Sequence, residues 1–401
     1  MEALKLEQAL QILLSRVEQI KEAENVALWD AGGRFLAQDI IADRDQPPFP
    51  RSPLDGYAVR GKEIGSADTG HPVSLKVIEE VTAGQVPQKA VGPGEAVRIM
   101  TGAPIPEGAD CVVRQEDTDY GEEVVQIYQS VQPYQNYCFP GEDYKKGTRL
   151  LEKGTKLGFA EIGVLASQGY HKVMVYQRPK IALITTGDEV VQPGEELPDG
   201  KIYDSNQYMV GSRLQMWNMQ MILREHIEDD ERQVAARVKE VIGNADLVIT
   251  TGGVSVGKKD IMHGVLNILP CEKLFWRVAT KPGMPVLCAE YQGKLLICLS
   301  GNPFAAAVNL ELLIRPLLQK MTGGDDLKTK RVQAVLEQGF FKKSKVTRYV
   351  RACYADGCVR IPEGSNGNGA IGSLCGCNCL IEIPAGTEKL DQGETVSALL
   401  L

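Results

Sequence analysis

The residues of this 401-residue chain that are best suited to do chemistry lie in three loops that contain glycine. They read TTGDE, TTGGVSVGKKD and SGNP, and they begin at Thr185, Thr250 and Ser300. Glycine leaves room for a ligand to approach the backbone, and consecutive backbone N–H groups can point at one anion. The loops therefore predict a site for a ligand that carries phosphate.

The second loop also fits most of a nucleotide-binding P-loop, because residues 252–258 follow the pattern GxxxxGK. A P-loop needs Ser or Thr at the next position to hold magnesium, and this chain has Lys259 there. The P-loop interpretation is therefore disfavoured. For this loop taken alone, a structural turn between a strand and a helix is the alternative.

The apolar runs before the three loops have little polar alternation, which is typical of strands in a parallel sheet covered by helices on both faces. They span residues 181–184, 247–249 and 295–299. In a doubly wound sheet, loops that leave the carboxyl ends of parallel strands gather at one edge, where ligands bind. We therefore expect one shared site. Asp204, and Asp229 or Asp230, are expected to be ordinary caps of the helices that follow.

The flanking regions have a different character. Apolar residues recur every three or four positions from residue 6 to 20, which predicts an amphipathic helix that ends near Glu24. Prolines stiffen residues 47–53, and Asp55 is expected in a turn. Short β-type runs follow between residues 72 and 131, and further runs from residue 331 onward predict a small β barrel.

These patterns together predict a multi-domain protein of α/β and β type. The expected parts are an N-terminal helix (1–24) that packs on the α/β domain, a small linking domain (25–46 and 140–177), an inserted β-rich domain (47–139), a doubly wound α/β domain (178–325) and a C-terminal β barrel (326–401).

The composition is that of an ordinary globular protein, with 43% apolar and 24% charged residues. A formal net charge of −8 argues against general nucleic-acid binding, which depends on basic patches. No apolar stretch is long enough to span a bilayer, and the N-terminus lacks the apolar block of a secretory signal. We expect a cytoplasmic protein with no membrane partner.

The ten cysteines are expected to be reduced thiols. Cys375, Cys377 and Cys379 form a CGCNC sequence, which lacks the CxxC spacing of most metal sites, and strand alternation would place all three on one face. Buried thiols are the favoured interpretation. A metal site that also uses Cys353 and Cys358 is the alternative. The four histidines are widely spaced, and none is assigned a role.

Seven motifs occur in the order seen in the MoeA family, the molybdopterin molybdenumtransferases related to the C-terminal domain of gephyrin. The chain resembles this family from its first helix to its last strand. The motifs are RSPLDGYAVR, RIMTGAPIPEGAD, GEDYKKG, TTGDE, TTGGVSVGxxD, KPGMP and SGNP.

The resemblance implies an enzyme that inserts molybdate into the dithiolene of adenylyl-molybdopterin, with magnesium-dependent release of AMP. It implies a MogA-like fold for the α/β domain, which would bind the pterin nucleotide, and Mg²⁺ as the cofactor. It also implies a homodimer in which each site takes the α/β domain of one subunit and parts of the other. A MogA-like adenylyltransferase and molybdoenzymes that accept the cofactor are the further partners it suggests.

The same resemblance assigns the positions of the site residues, and the chemistry of their side chains suggests the roles. Glu189, Asp229 and Asp260 are the expected magnesium ligands, because this hard cation prefers carboxylate oxygens. Arg277 and Lys281 are expected to neutralise pyrophosphate or molybdate. The implied catalytic residues are Asp55, Thr101, Glu189, Asp229, Asp260, Arg277 and Lys281, and the implied substrate contacts are Asp143, Thr186, Gly187, Asp188, Gly252, Gly253, Ser255, Gly301, Asn302, Pro303, Arg348 and Arg351.

The chain departs from the common family pattern at several of these motifs. Met284 stands where many members have a second Lys, and Arg277 replaces a common Lys, which keeps the charge with a different geometry. Lys258 stands where an acid is frequent, Ser300 where Pro is usual, and Asn368 near a position often held by Ser. Arg348 and Arg351 match the basic pair of the family. This pair and Asn368 are the features that bear on the molybdate subsite.

Two functions of other classes stay open. A binding or scaffolding protein would keep the fold and use its surface for partners, although the intact acids argue against scaffolding alone. A hydrolase of the CinA type would share a MogA-like domain, but residues 43–117 and the C-terminal barrel do not fit it. The sequence leaves the choice between molybdate and tungstate undecided, since the two oxyanions have nearly the same size and charge.

Overall fold

The structure, a computed structural model, describes residues 3–254, 260–364 and 367–401. The chain forms two units, which are Met1–Ala37, Gly154–Gly158 and Lys172–Leu401 (unit 1) and Gln38–Lys153 and Phe159–His171 (unit 2). The predicted linking domain is thus divided between the units, and the finer domain boundaries stay predictions. Within the described residues, no helix is long and apolar enough to cross a membrane.

Helices are concentrated in unit 1, where they cover the faces of a sheet. A π-helical turn, Leu310–Ile314, joins the last two of them. In the described parts of the chain the α-helices are α1 (Leu6–Leu14), α2 (Phe159–Ser167), α3 (Ser205–Met216), α4 (Glu231–Val241), α5 (Met262–Ile268), α6 (Pro303–Asn309) and α7 (Arg315–Thr322).

Strands occur in both units, and the pairings of the described strands join members of the same unit. In the described residues they are β1 (Ala23–Ala27), β2 (Ile40–Ile41), β3 (Gly56–Val59), β4 (Val73–Val81), β5 (Glu95–Ile99), β6 (Cys111–Arg114), β7 (Val124–Ile127), β8 (Arg149–Leu151), β9 (Lys172–Tyr176), β10 (Lys180–Thr186), β11 (Val190–Val191), β12 (Ile202–Tyr203), β13 (Gln220–Ile227), β14 (Leu247–Thr251), β15 (Glu272–Trp276), β16 (Thr280–Lys281), β17 (Val286–Tyr291), β18 (Lys294–Leu299), β19 (Arg331–Leu336), β20 (Thr347–Ala355), β21 (Cys358–Arg360), β22 (Cys379–Ile383) and β23 (Thr395–Leu400).

The central sheet of unit 1 has the strand order β13-β10-β14-β18-β17-β15. Strands β13, β10, β14 and β18 are parallel, as the apolar runs predict, whereas β17 runs antiparallel to both of its neighbours. The chain leaves β10 toward one edge of the sheet and later returns to β14 on the other side of β10. The gap between β10 and β14 is therefore a topological switch point, where ligands of doubly wound sheets bind.

Successive side chains of the sheet alternate between two apolar layers. Ile181 and Leu183 face the layer that contains α3, α6 and α7, while Ala182 and Ile184 face the layer that contains α4 and α5. Both faces are buried, so these strands need no polar alternation. The predicted doubly wound α/β domain is confirmed.

The C-terminal strands close into a barrel with the order β20-β21-β19-β23-β22, and β22 pairs again with β20. Asp356 and Gly357 both have positive φ angles, 48° and 81°, in the predicted turn between β20 and β21. The predicted barrel is confirmed. Of the cysteines in CGCNC, Cys379 lies in β22 and is buried, but Cys375 is exposed. The prediction of three buried thiols on one strand face is therefore wrong, because β22 begins only at Cys379.

The N-terminal helix ends at Leu14, so the predicted end near Glu24 is wrong. The Ser15 hydroxyl donates to the Ile12 carbonyl at 2.7 Å, and the Ile20 N–H donates to the Met321 carbonyl at 2.9 Å. Val17 and Ile20 still pack on the apolar core of unit 1, but from irregular backbone. Helical spacing of apolar residues thus continues beyond the helix itself.

Unit 2 contains a five-stranded sheet of order β6-β3-β5-β4-β7, as its β-type runs predict. Gly56 begins the interior strand β3, which pairs with both β6 and β5, although the sequence places it in a turn. A Cβ atom at Gly56 would lie 1.9 Å from the Val113 carbonyl oxygen of β6. Glycine is therefore required there by the close approach of two strands. The residue before it, Asp55, is held immediately before the start of β3.

Candidate active site

A cleft of about 660 Å³ opens at the carboxyl edge of the central sheet, beside the switch point between β10 and β14. The loops after β10, β14 and β18 all line it, as the sequence predicts. The residues of the predicted set that line the cleft are Thr186, Gly187, Glu189, Asp229, Gly252, Gly253, Gly301, Asn302 and Pro303.

Glycines let the loops approach one another closely. A Cβ atom at Gly252, whose φ is +98°, would lie 2.2 Å from the Thr186 carbonyl oxygen. One at Gly301 would lie 3.5 Å from the Gly252 Cα atom. A side chain at Gly252 would push the loops after β10 and β14 apart, whereas a Cβ atom at Gly301 would make an ordinary van der Waals contact. Glycine at position 252 therefore keeps backbone atoms of two strand ends within reach of a ligand.

Acidic side chains gather at one end of the cleft. The Asp229 N–H donates to Asp188 Oδ1 at 3.1 Å, and Glu189 and Asp229 both line the cavity. Burial, followed by the negative charge of Asp188, raises the pKa of Asp229. Its Oδ1 atom is buried and has no hydrogen-bond partner among the described residues. A cation would offset the repulsion between the carboxylates of Asp188 and Asp229 and would give Asp229 Oδ1 a partner. The carboxylates of Glu189 and Asp229 therefore fit Mg²⁺.

Helix capping explains why Asp229 is available. The adjacent Asp230 caps α4, accepting from the N–H groups of Arg232 and Gln233. Asp204 similarly caps α3, and it accepts from the Thr185 hydroxyl at 2.5 Å. Of the two acids that could cap α4, Asp230 takes the structural role, and Asp229 is left facing the cleft.

Asp260 does not line the cleft, although it lies at the same edge of the sheet. The next residue, Ile261, packs against Gly253, where an added Cβ would meet its side chain at 2.7 Å. The Asp260 carboxylate lies 3.8 Å from His263 Nε2. Within the described residues, no group of three or more His, Cys, Asp or Glu side chains is arranged to hold a metal ion. The three expected magnesium ligands are thus not assembled into one preformed group.

The predicted cations lie around the same domain but enter separate contacts. Arg277 follows β15 with a φ of +78°, and its guanidinium stacks 4.0 Å from the centroid of the Trp276 ring. Lys281, in β16, is the register partner of Arg348 in β20. Burial lowers the pKa of Arg348. Lys281 and Arg348 thus occupy paired positions on neighbouring strands, which places two basic residues in the same part of the barrel edge.

Arg351 is buried against the barrel wall rather than exposed to a ligand. Its guanidinium lies 3.8 Å from the centroid of the Phe304 ring, and it donates to the carbonyls of Gly367, at 2.7 Å, and Ala370. Gly369, in the loop so held, lines the cleft. The structure thus gives Arg351 a role in positioning this loop, and direct contact with substrate stays a prediction.

Asp55 and Thr101, predicted to share a function although 46 residues apart, meet in unit 2. The backbone N–H and the hydroxyl of Thr101 both donate to Asp55 Oδ1 at 2.7 Å. These hydrogen bonds lower the pKa of Asp55. Asp143 lies in the exposed turn of the GEDYKKG motif, where its N–H donates to the Gln46 carbonyl.

Sequence reasoning missed several residues that line the cleft. Asn206 donates through Nδ2 to the Gly301 carbonyl at 2.8 Å, which joins α3 to the loop after β18. Tyr203 and Ile371 also line the cavity. The pattern Asp204-Ser205-Asn206 is explained by capping alone, so no local signal marks it. Ser255, Gly257, Lys258 and Lys259 lie outside the described residues.

Family models match three consecutive stretches of the chain. These are the MoeA N-terminal region (domain I and II) over residues 4–169, the probable molybdopterin binding domain over residues 182–320, and the MoeA C-terminal region (domain IV) over residues 333–401. The chain belongs to the MoeA family.

MoeA relatives match over nearly the whole chain. A molybdopterin molybdenumtransferase of Staphylococcus aureus (strain COL) is 36% identical over 381 residues, which are 94% of this chain and 91% of the relative. One from Staphylococcus epidermidis is 35% identical over 396 residues, 98% of this chain and 94% of the relative.

Solved MoeA structures agree with the fold described above. A crystal structure of the molybdopterin biosynthesis MoeA protein of Pyrococcus horikoshii matches with a TM-score of 0.82 and 32% identity, covering 100% of this chain and 99% of that one. A second crystal structure, of the MoeA protein of Pyrococcus horikoshii OT3, matches with a TM-score of 0.78 and 31% identity, and the match covers 100% of both chains. The MoeA resemblance and the fold class predicted from the motifs are confirmed.

Proposed function

We propose that this MoeA protein acts in molybdenum cofactor biosynthesis as a molybdopterin molybdenumtransferase, with molybdopterin and molybdate as substrates. The observation that carries the proposal is the cleft at the β10–β14 switch point. It combines close-approach glycines with the paired carboxylates of Glu189 and Asp229, in a chain whose relatives carry that activity in their names. The cleft suits a substrate with a phosphate group.

The finer proposal is that the pterin substrate is adenylylated and that AMP is released with the help of Mg²⁺. Mg²⁺ in such sites is held by one or two carboxylates and by substrate phosphates. Glu189 and Asp229 would supply the two carboxylates, and Asp260 stays a predicted third ligand. When bound, the ion would neutralise charge that develops on the leaving phosphate.

The chain's own groups would bind and orient the anhydride. Gly252 and Gly253, both with positive φ angles, expose backbone to the cleft. Asn206 fixes the loop that contains Gly301, so the two glycine loops keep their separation. A rigid arrangement of this kind favours one orientation of the phosphate relative to the carboxylates, which lowers the barrier by positioning.

The pair of Lys281 and Arg348 is the proposed anion subsite for molybdate. The two residues are partners across β16 and β20, which places their charges on neighbouring strands. Arg277, held on the Trp276 ring, would add a third cation at this edge of the sheet. Neutralisation of an oxyanion by such cations would favour its approach to the dithiolene.

The remaining expectations are proposals on the same basis. We expect a homodimer in the cytoplasm, with a MogA-like adenylyltransferase as supplier of the substrate and molybdoenzymes as acceptors of the product. Size-exclusion chromatography with light scattering measures the oligomeric state directly, and a monomer at micromolar concentration would refute the dimer.

The activity is tested by AMP release. Purified protein is mixed with Mg²⁺, molybdate and adenylyl-molybdopterin, and AMP is quantified by chromatography. Active cofactor is measured by reconstitution of a molybdenum-free apoenzyme. The proposal predicts AMP release together with active cofactor, both abolished by EDTA.

Two outcomes would contradict it. AMP release without active cofactor would indicate hydrolysis, and binding of neither pterin nor AMP would indicate a scaffolding protein. Asp199→Asn is a matched control for changes of acidic residues, because Asp199 is exposed in the loop between β11 and β12 and does not line the cleft.

A further inference from the structure

One wall of the cleft is apolar, although the loops around it are polar. Ile202, Tyr203 and Ile371 line this wall and are 57%, 42% and 39% exposed. Val190, the register partner of Ile202, extends it. Large apolar side chains that stay exposed inside a concave site are typical of ligand contacts. The wall therefore suits a part of the ligand that carries no charge.

Tyr203 is held so that its ring, rather than its hydroxyl group, is available to a ligand. The hydroxyl donates to the Glu195 carbonyl at 2.9 Å, which occupies it within the loop between β11 and β12. The next residue, Asp204, is buried as the cap of α3 and accepts from the Thr185 hydroxyl. The ring is thus anchored at its tip and through its backbone, while 42% of the residue stays exposed.

We infer that Tyr203 is a stacking platform for the flat heteroaromatic ring of the substrate. The inference rests on the proposed function and adds the position of the ring. The ring lies against the apolar wall when the phosphate lies at the glycine loops. Pterin and adenine share the chemistry that stacking recognises, namely a planar, polarisable ring. The experiment below distinguishes the two.

The size of the effect follows from other stacking sites. Removal of an aromatic platform weakens binding of a nucleobase about 5- to 150-fold. Tyr203→Ala should produce a loss in this range for the ligand whose ring stacks. Tyr203→Phe keeps the ring and loses only the hydrogen bond to Glu195, so its affinity should stay within about threefold of the unchanged protein.

The test is calorimetry with three probes on the full chain: AMP, pterin-6-carboxylate and inorganic pyrophosphate. Pyrophosphate carries the charge without a ring. The matched control is Tyr208→Ala, because Tyr208 is 53% exposed on α3 and does not line the cleft. Thermal unfolding of each variant shows that the fold is retained.

The inference predicts that Tyr203→Ala weakens AMP or pterin-6-carboxylate, leaves pyrophosphate unchanged, and differs from both Tyr203→Phe and Tyr208→Ala. Loss with AMP alone assigns the wall to adenine, and loss with the pterin alone assigns it to pterin. Unchanged affinity for both rings, or equal loss for all three probes, would overturn the inference.

Failure of the inference is distinguishable from failure of the proposed function. If Tyr203→Ala binds AMP and pterin-6-carboxylate like the unchanged protein while AMP release continues, only the stacking role of Tyr203 is refuted. If the unchanged protein binds neither ring and releases no AMP, both fall together.

Discussion

Asp229 and Asp55 are both expected to be catalytic, yet the structure surrounds them in opposite ways. Asp229 is half-buried beside Asp188, and its pKa is raised, chiefly by burial. Asp55 accepts two hydrogen bonds from Thr101, and its pKa is lowered by them. The ionised form is disfavoured at the first position and favoured at the second. A nearby cation would therefore stabilise ionised Asp229, whereas ionised Asp55 is already stabilised by protein donors.

The two shifts have opposite consequences for stability. Because the folded-state pKa of Asp229 is raised, its ionised form costs stability at neutral pH, and that cost disappears as the pH falls through the raised pKa. Because the folded-state pKa of Asp55 is lowered, its ionised form stabilises the fold above the ordinary aspartate pKa, and this contribution is lost as the pH falls through the lowered value.

Asp229→Asn should have the largest effect on activity. It removes a proposed magnesium ligand, and loss of several kcal/mol of charge stabilisation corresponds to a fall of on the order of 100-fold or more in AMP release. It also removes an unfavourable buried charge, so the Tm in magnesium-free buffer at neutral pH should stay the same or rise. AMP chromatography and calorimetric melting measure the two quantities.

The matched control for this change is Asp199→Asn, which should leave both activity and Tm unchanged. A variant Asp229→Asn that melts well below the unchanged protein would show a structural role instead. Near-normal AMP release by that variant would show that Asp229 is not a magnesium ligand.

Magnesium affinity should fall as the pH decreases. The fall should begin at a higher pH than it would for a site whose aspartate has an ordinary pKa. The ion must displace the proton of Asp229, so affinity falls about tenfold per pH unit once the pH is below its raised pKa. Calorimetry in two buffers of different ionisation enthalpy counts the protons released. Asp229→Asn should release fewer protons, and parallel pH profiles for the two proteins would contradict the assignment.

Asp55→Asn should reduce activity by about tenfold, less than Asp229→Asn, because it removes a charge without removing a proposed metal ligand. The charged acceptor of two hydrogen bonds is replaced by a neutral one, so the Tm at pH 7 should fall by a few degrees. The difference in Tm from the unchanged protein should shrink as the pH approaches 3. A difference that persists there would show that ionisation of Asp55 is not its source.

Thr101→Val should have the smallest effect, about threefold in activity. It removes the hydroxyl donor to Asp55 and keeps the backbone N–H, which by itself holds Oδ1 at 2.7 Å. Thr101→Ser retains both donors and should behave like the unchanged protein. A loss as large as that of Asp55→Asn would mean that the hydroxyl itself contacts the substrate.

Much of the fold is readable from sequence because burial and backbone geometry leave local patterns. The apolar runs of β10, β14 and β18 predict their burial on both faces, and their carboxyl-end glycines predict the shared edge. Strand β4, Val73–Val81, lies in the stretch between residues 72 and 131 where the sequence predicts short β-type runs. Antiparallel β17 is missed, because its apolar sequence is the same for either direction of pairing.

The site is readable in part, because motif residues on one edge of a sheet are brought together by topology. Glu189 and Asp229 reach one cleft, but Asp260 does not line it, since its position depends on how the chain continues after Gly253. Arg351 carries a charge suited to an anion, yet it packs on Phe304. Tyr203 has no local signal at all, because its role depends on a wall built from β12 and a barrel loop.

We propose that Asp229 and Glu189 bind a divalent cation together with a nucleotide phosphate. Mn²⁺ has the same preference for oxygen ligands as Mg²⁺ and is visible by electron paramagnetic resonance. The decisive measurement is a Mn²⁺ titration with AMP present, for the unchanged protein and for Asp229→Asn. We expect one bound Mn²⁺ in the unchanged protein and at least tenfold weaker binding in the variant. Equal Mn²⁺ affinity in the two proteins would contradict it.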